Sequence, residues 1–263
     1  MVRPPGNSQM ENTPHEARTV LILKADRLCA EALRSLTLSA LPRADVALAH
    51  SIEQAEALVS ARPRDLLITG AGASLAGDML DFLSRHTGDG RPIRRALVVT
   101  THLEQRTVAA LRSMAVHGVF DSASDQPDDF IRAVQAVAYG RRYWSASILE
   151  TFTRLWAGSN SLFRVLTTSE QMVLAVVGDG CDDERAAQML GLSAATVSTV
   201  RRELHRKLGV QHRGELIRVA AQHGFVRFTQ AGVTRPGFGL LSAAYAARRG
   251  KRGPIPQAEA QAA

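Results

Sequence analysis

Between Thr19 and Tyr139 five short apolar runs alternate with five segments whose apolar residues recur at helical spacing, and this rhythm leaves few folds open. The runs are Thr19–Leu23, Val46–Ala49, Leu66–Thr69, Ala96–Thr100 and Gly118–Phe120. The helical stretches are Ala30–Leu38, Ile52–Ser60, Met79–Arg85, Val108–Met114 and Phe130–Tyr139. Strands alternating with helices predict a parallel sheet with helices on both faces. Residues 18–140 are therefore expected to form an α/β domain.

The remainder of the chain has a different rhythm. Residues 141–162 read as a linker whose front half can form a helix, with a turn signature around Gly158. Residues 163–228 read as a second domain, with a wholly helical pattern from Leu166 to Phe228. Residues 1–17 are polar and Pro-rich, and 229–263 are Gly-, Ala- and Pro-rich with scattered cations; both are expected to be disordered. The basic cluster in the second, Arg248, Arg249, Lys251 and Arg252, is able to touch phosphate without folding, though a solvated tail is the plainer reading. The formal charge of +7 suits a polyanionic partner but does not demand one. Two distant cysteines, Cys29 and Cys181, suggest neither a disulfide framework nor a metal site. No apolar run approaches the roughly 20 residues of a membrane span, and the N-terminus has no signal-peptide core. A cytoplasmic protein with no membrane partner is expected.

The helical region carries the most specific residues. Thr167 and Glu170 form a capping-box pattern opening a first helix, which ends at Gly178-Asp179-Gly180. Asp182 is placed to cap a short helix, Asp183–Leu190. Gly191-Leu192-Ser193 then makes a tight turn, with Ser193 capping a third helix from about Ala194 to Leu208. Two helices joined by a short Gly-containing turn match helix-turn-helix geometry, in which the second enters the major groove of double-stranded DNA. Val197, Val200 or Arg201, Leu204 and Leu208 are predicted to face the core, and Ser198, Thr199, Arg202, His205 and Arg206 to face outward. Small hydroxyl residues permit close approach to base edges, and Arg202 is able to fork onto guanine or grip phosphate.

Leu166–Phe225 resembles the LuxR-type four-helix DNA-binding domain. The resemblance rests on LTTSE at Leu166–Glu170, the pair Val173-Leu174, Gly180, AQMLGLSAATV at Ala187–Val197, RKLGV at Arg206–Val210, and Arg213. It implies DNA contacts from Ser198, Thr199, Arg201 and Arg202, with Thr196, Arg206 and Lys207 on the DNA backbone. It also implies a dimer contact through a fourth helix, about Gly214–His223. Ser198, Val200 and Arg185 depart from the residues most members carry there, which alters the bases read.

A five-fold β/α unit ahead of such a domain resembles the receiver of a response regulator, implying a flavodoxin-like sheet of strand order 2-1-3-4-5. Receiver chemistry needs an acidic pair after strand one, an acceptor Asp ending strand three and a Lys after strand five. Those positions fall on Lys24 and Ala25, with Asp26 one place late, on Thr69, and on Asp121 or Ser122. Only the switch hydroxyl, Thr100, is retained. Asp65 lies too early on its strand to act as acceptor. The expectation is a receiver-like domain that takes no phosphoryl group and serves either as a homodimerisation platform, through the helices flanking strands four and five, or as a site for another regulator or a small ligand. No catalytic constellation, metal site or cofactor motif is found, and the expected function is sequence-specific transcription regulation.

Overall fold

The computed structural model describes residues 17–74, 77–101, 104–157, 161–229 and 232–250. The expected N-terminal disordered segment lies almost wholly outside them. In chain order the first domain contains β1 (Thr19–Leu23), α1 (Arg27–Ala40), β2 (Asp45–Ala49), α2 (Ile52–Ala61), β3 (Arg64–Thr69), the two-residue strands β4 (Ala73–Ser74) and β5 (Gly77–Asp78), α3 (Met79–His86), β6 (Ile93–Thr100), α4 (Gln105–Arg112), β7 (Gly118–Asp121) and α5 (Pro127–Ala138). The strands run parallel in the order β2-β1-β3-β6-β7, followed by one more described below. This is the expected α/β order.

Side chains alternate across that sheet with the period of two that extended backbone imposes. Leu21, Leu23, Leu67, Ala96, Val98 and Val119 point to a core shared with Val59 of α2, Leu83 of α3 and Leu111 of α4. Val20, Ile22, Leu66, Ile68, Leu97 and Phe120 point the other way, onto Leu33 of α1 and Phe130, Val134 and Val137 of α5. Both faces are dry, which explains why the strands read as unbroken apolar runs.

The linker departs from its expected form. Tyr143–Trp144 is a further parallel strand, β8, paired with Gly118 and Val119 of β7. The Tyr143 N–H donates to His117 at 3.1 Å and the Ser145 N–H to Val119 at 3.0 Å, so part of the open edge of β7 is satisfied. Helix α6 (Ala146–Ala157) follows and packs against α4, with Ile148 and Leu155 buried. Residues 158–160, including the expected hinge at Gly158, lie outside the described residues.

The second domain comprises α7 (Leu162–Val165), α8 (Thr168–Val177), α9 (Asp183–Leu190), α10 (Ala194–Leu208) and α11 (Arg213–Gln222) around one apolar core. Chain beyond it also departs from expectation. Strands β9 (Arg227–Thr229) and β10 (Gly232–Thr234) form an antiparallel pair, and α12 (Phe238–Gly250) packs on α8 and α3. Apolar content is low there, but it is concentrated: Leu241 is buried, and Val233 and Phe238 pack against the helical core. Of the expected disordered tail, Thr229 and residues 232–250 are thus ordered; residues 230–231 and 251–263, with Lys251 and Arg252, lie outside the described residues.

Candidate nucleic-acid interface

Local chemistry sets each helix of the second domain. The Glu170 N–H donates to Thr167 Oγ1 at 3.3 Å, and the Thr167 N–H to Glu170 Oε2 at 2.8 Å, closing the capping box at the start of α8. Asp182 Oδ1 caps α9 by accepting from the Arg185 N–H at 2.8 Å. Between α9 and α10 the backbone reverses at Gly191, φ 62°, a left-handed conformation that glycine adopts without a Cβ clash. Ser193 Oγ then accepts from the Thr196 N–H at 3.1 Å, fixing the first turn of α10.

Val197 and Leu204 of α10 are fully buried. Thr196, Thr199, Arg202 and Arg206 are exposed, and their spacing places them along one stripe of the helix. Ser198 lies half-buried beside the stripe. Within the stripe, Arg202 leans on Thr199 at 3.4 Å and Arg206 holds Glu203 through two hydrogen bonds of 3.0 and 2.8 Å. Pairs this exposed are weak and exchange readily for phosphate or base contacts.

Two expected DNA contacts are turned inward. Arg201 pairs with Asp183 at 2.7 Å and donates to the Cys181 carbonyl at 3.1 Å, with only 16% of its side chain exposed. It ties α10 to the start of α9. Lys207 pairs with Glu170 at 2.8 Å and donates to the Val165 carbonyl at 3.2 Å. Burial raises the pKa of Glu170, but hydrogen bonds from Lys207 and Thr167 outweigh it and hold the carboxyl below its usual range. The capping carboxylate thereby also anchors the end of α10. Helical spacing leaves Arg201 undecided between core and surface, and nothing in it reveals that Lys207 meets a carboxylate 37 positions away.

The other candidate pocket lies where the C-terminal ends of β1, β3, β6 and β7 meet, beside the crossover between β1 and β3 where open α/β sheets bind ligands. Lys24 and the exposed Ala25 and Asp26 follow β1. Asp26 is spent as the cap of α1, accepting from the Cys29 N–H at 2.7 Å. A Cβ at Gly70 would lie 3.6 Å from Lys24 Nζ, which places that ammonium over the loop after β3. Thr69 is buried, its hydroxyl donating to the Leu23 carbonyl at 3.2 Å. Thr100, also buried, ends β6 opposite Asp121 in register, and the exposed Ser122 donates to the Thr100 carbonyl at 3.3 Å. Asp121 accepts from the Ser124 and Ser147 hydroxyls at 2.7 Å each and from the Ala123 N–H at 3.0 Å. Burial pushes its pKa up, and these bonds override that and lower it. Asp65 serves the opposite end of the sheet, accepting at 3.0 Å from the N–H groups of Arg18 and Thr19. Among the described residues no His, Cys, Asp or Glu cluster is able to hold a metal, and no helix is long and apolar enough to cross a membrane.

A receiver-like α/β domain joined to a helix-turn-helix domain defines the class. Residues 164–220 match the GerE family, bacterial regulatory proteins of the luxR family, and the C-terminal domain is a LuxR-family helix-turn-helix domain. That family consists of regulatory proteins rather than enzymes. The transcriptional regulatory protein MctR of Rhizobium johnstonii is 28% identical over 139 residues, 51% of this chain and 62% of that relative, so the chain spans less than two thirds of its length. Two structures of RcsB from Salmonella enterica serovar Typhimurium share the fold at 18% identity, each covering 78% of this chain and 98% of that one. They were solved bound to promoter P1flhDC (TM-score 0.53) and to promoter rprA (TM-score 0.52), both with the phosphomimetic BeF3−.

Proposed function

We propose that the protein is a transcription regulator that reads double-stranded DNA through α10, acts as a dimer and works without aspartyl phosphorylation. The observation that carries this reading is the stripe of Thr196, Thr199, Arg202 and Arg206. It leaves hydroxyls near the helix start and guanidinium groups beyond them free of the core, on the element that helix-turn-helix proteins insert into the major groove. Ser198 flanks it. Arg201 and Lys207 act in this scheme as struts that set the angle of α10.

Dimerisation is assigned to α11, whose Arg213, Gly214, Arg218 and Gln222 are exposed. Helix α4 is less suited to it, because Arg106, Thr107, Val108, Ala110 and Leu111 are all buried. Phosphorylation independence follows from the pocket chemistry. A threonine hydroxyl ending β3 cannot form an acyl phosphate, and the Lys24 ammonium repels the divalent cation the transfer needs. Incubation of the full chain with a phosphodonor and Mg²⁺, read by intact mass, is expected to leave the mass unchanged; a stable phosphoryl adduct overturns this part. The alternative reading is a regulator gated by a partner or ligand at the Lys24 loop, or one working mainly through heterodimers. It is favoured if purified protein binds DNA only in a sequence-indifferent, salt-sensitive manner.

A further inference from the structure

The two domains are joined by more than their connecting chain. Glu104, at the head of α4, takes a two-pronged ion pair from Arg227 of β9, at 3.0 and 2.6 Å, with both side chains about four-fifths buried. Two residues on, Arg106 is almost wholly buried and donates to the Gly237 carbonyl at 2.7 Å. The Gly237 N–H in turn donates to Asp78 at the head of α3, and the Leu240 N–H to Asp81 at 3.2 Å. Helix α12 continues from this point onto α8. Gly237 has φ 65°, a turn that favours glycine, and a Cβ there would press on Arg106 at 3.1 Å.

The arrangement leaves the DNA-reading stripe of α10 exposed while closing the α3 and α4 side of the α/β domain. From this we infer that residues 227–229 and 232–250 form a strap that docks the helix-turn-helix domain on α3 and α4 in one fixed orientation, with its reading helix presented outward. The strap replaces a phosphoryl-driven rearrangement by permanent docking; this consequence rests on the proposed phosphorylation-independent DNA binding, whereas the docking itself does not. Preorganised half-sites bind a two-half-site operator without the ordering cost that loosely tethered domains incur.

The test uses the full chain and a charge exchange across the Glu104–Arg227 pair. Glu104→Arg and Arg227→Glu each place like charges together; the double variant restores opposite charges. Hydrogen exchange, read by mass spectrometry, is expected to quicken in α4 and α12 in each single variant and to return to the starting rate in the double one, with β1 and α10 unchanged as folding controls. Unchanged protection in both single variants, or no recovery in the double one, overturns the strap. In a second arm, affinity for the selected operator is expected to fall about tenfold in the single variants, within the usual range of intersite coupling, and to recover in the double one. Tighter binding by the single variants means that docking inhibits, and overturns the outward-presenting role. If the parent protein binds no specific DNA, the DNA-binding reading fails while the exchange arm still decides the docking.

Discussion

Helix α10 and the pocket at the C-terminal ends of the strands carry comparable numbers of candidate residues, yet side chains are used oppositely in the two places. On α10 the hydroxyls and two arginines stay on the surface, while Arg201 and Lys207 are drawn into internal pairs that brace the helix. In the pocket nearly every group is consumed by the fold: Asp26 caps a helix, Thr69 and Ser122 bind carbonyls, and Asp121 is saturated by hydroxyl and backbone donors. A surface whose pairs are exposed and readily exchanged is available to a partner. A satisfied one is scaffolding, whatever its position in the fold.

Neighbouring arginines break or sharpen this contrast most strongly. Arg202→Ala is expected to weaken operator binding by about 10- to 100-fold, the worth of one well-made base contact, with the melting temperature unchanged. Arg201→Ala is expected to do the reverse. It leaves Asp183 unpaired in a half-buried site and lowers stability by about 2 kcal/mol, visible as earlier unfolding of the C-terminal domain, while the preferred sequence stays the same. If Arg201→Ala altered base preference without loss of stability, the inward assignment would be wrong.

A pH series tests the docked side of the α/β domain. Burial raises the Asp78 pKa from its ordinary value to about 6; Asp81 adds to the rise, while Arg106 and the Leu80 and Gly237 N–H groups oppose it. Because the folded value lies above the unfolded one, ionisation costs the folded state at pH values above about 6. That cost is relieved progressively as pH falls and is gone below the unfolded value near 4. The Asp78 contribution therefore favours the folded, docked form by a few degrees of melting temperature between pH of about 7.5 and about 5. Asp78→Asn is expected to flatten that part of the profile; an unaltered slope contradicts the assignment. The smallest expected effect is that of Thr167→Ala, which removes half of the capping box and costs about 1 kcal/mol, with no change in operator sequence.

Legibility in the sequence followed the range of the interactions. The sheet order and the bounds of α9 and α10 were readable because apolar period, Gly191 and the caps Asp182 and Ser193 act within a few residues. Strand β8 is not legible because Tyr143–Trp144 is too short to show a period, and only the edge of β7 makes it a strand. The ordered segment from Gly232 to α12 is hidden for a similar reason: Val233, Phe238 and Leu241 are few, and their burial comes from surfaces supplied by α8 and α3. The Glu104–Arg227 pair spans 123 positions, and no local signal links such residues. Within the candidate interface, the sequence identified the helix and its polar character but left open which cations turn inward.

The central claim, that α10 reads DNA through its exposed stripe, is tested most directly by fragment-selection sequencing with the full chain and its Arg202→Ala variant at near-physiological salt. The account predicts a palindromic pair of half-sites for the parent protein and a weakened or relaxed motif for the variant. Equal, sequence-indifferent, salt-sensitive binding by both would contradict it.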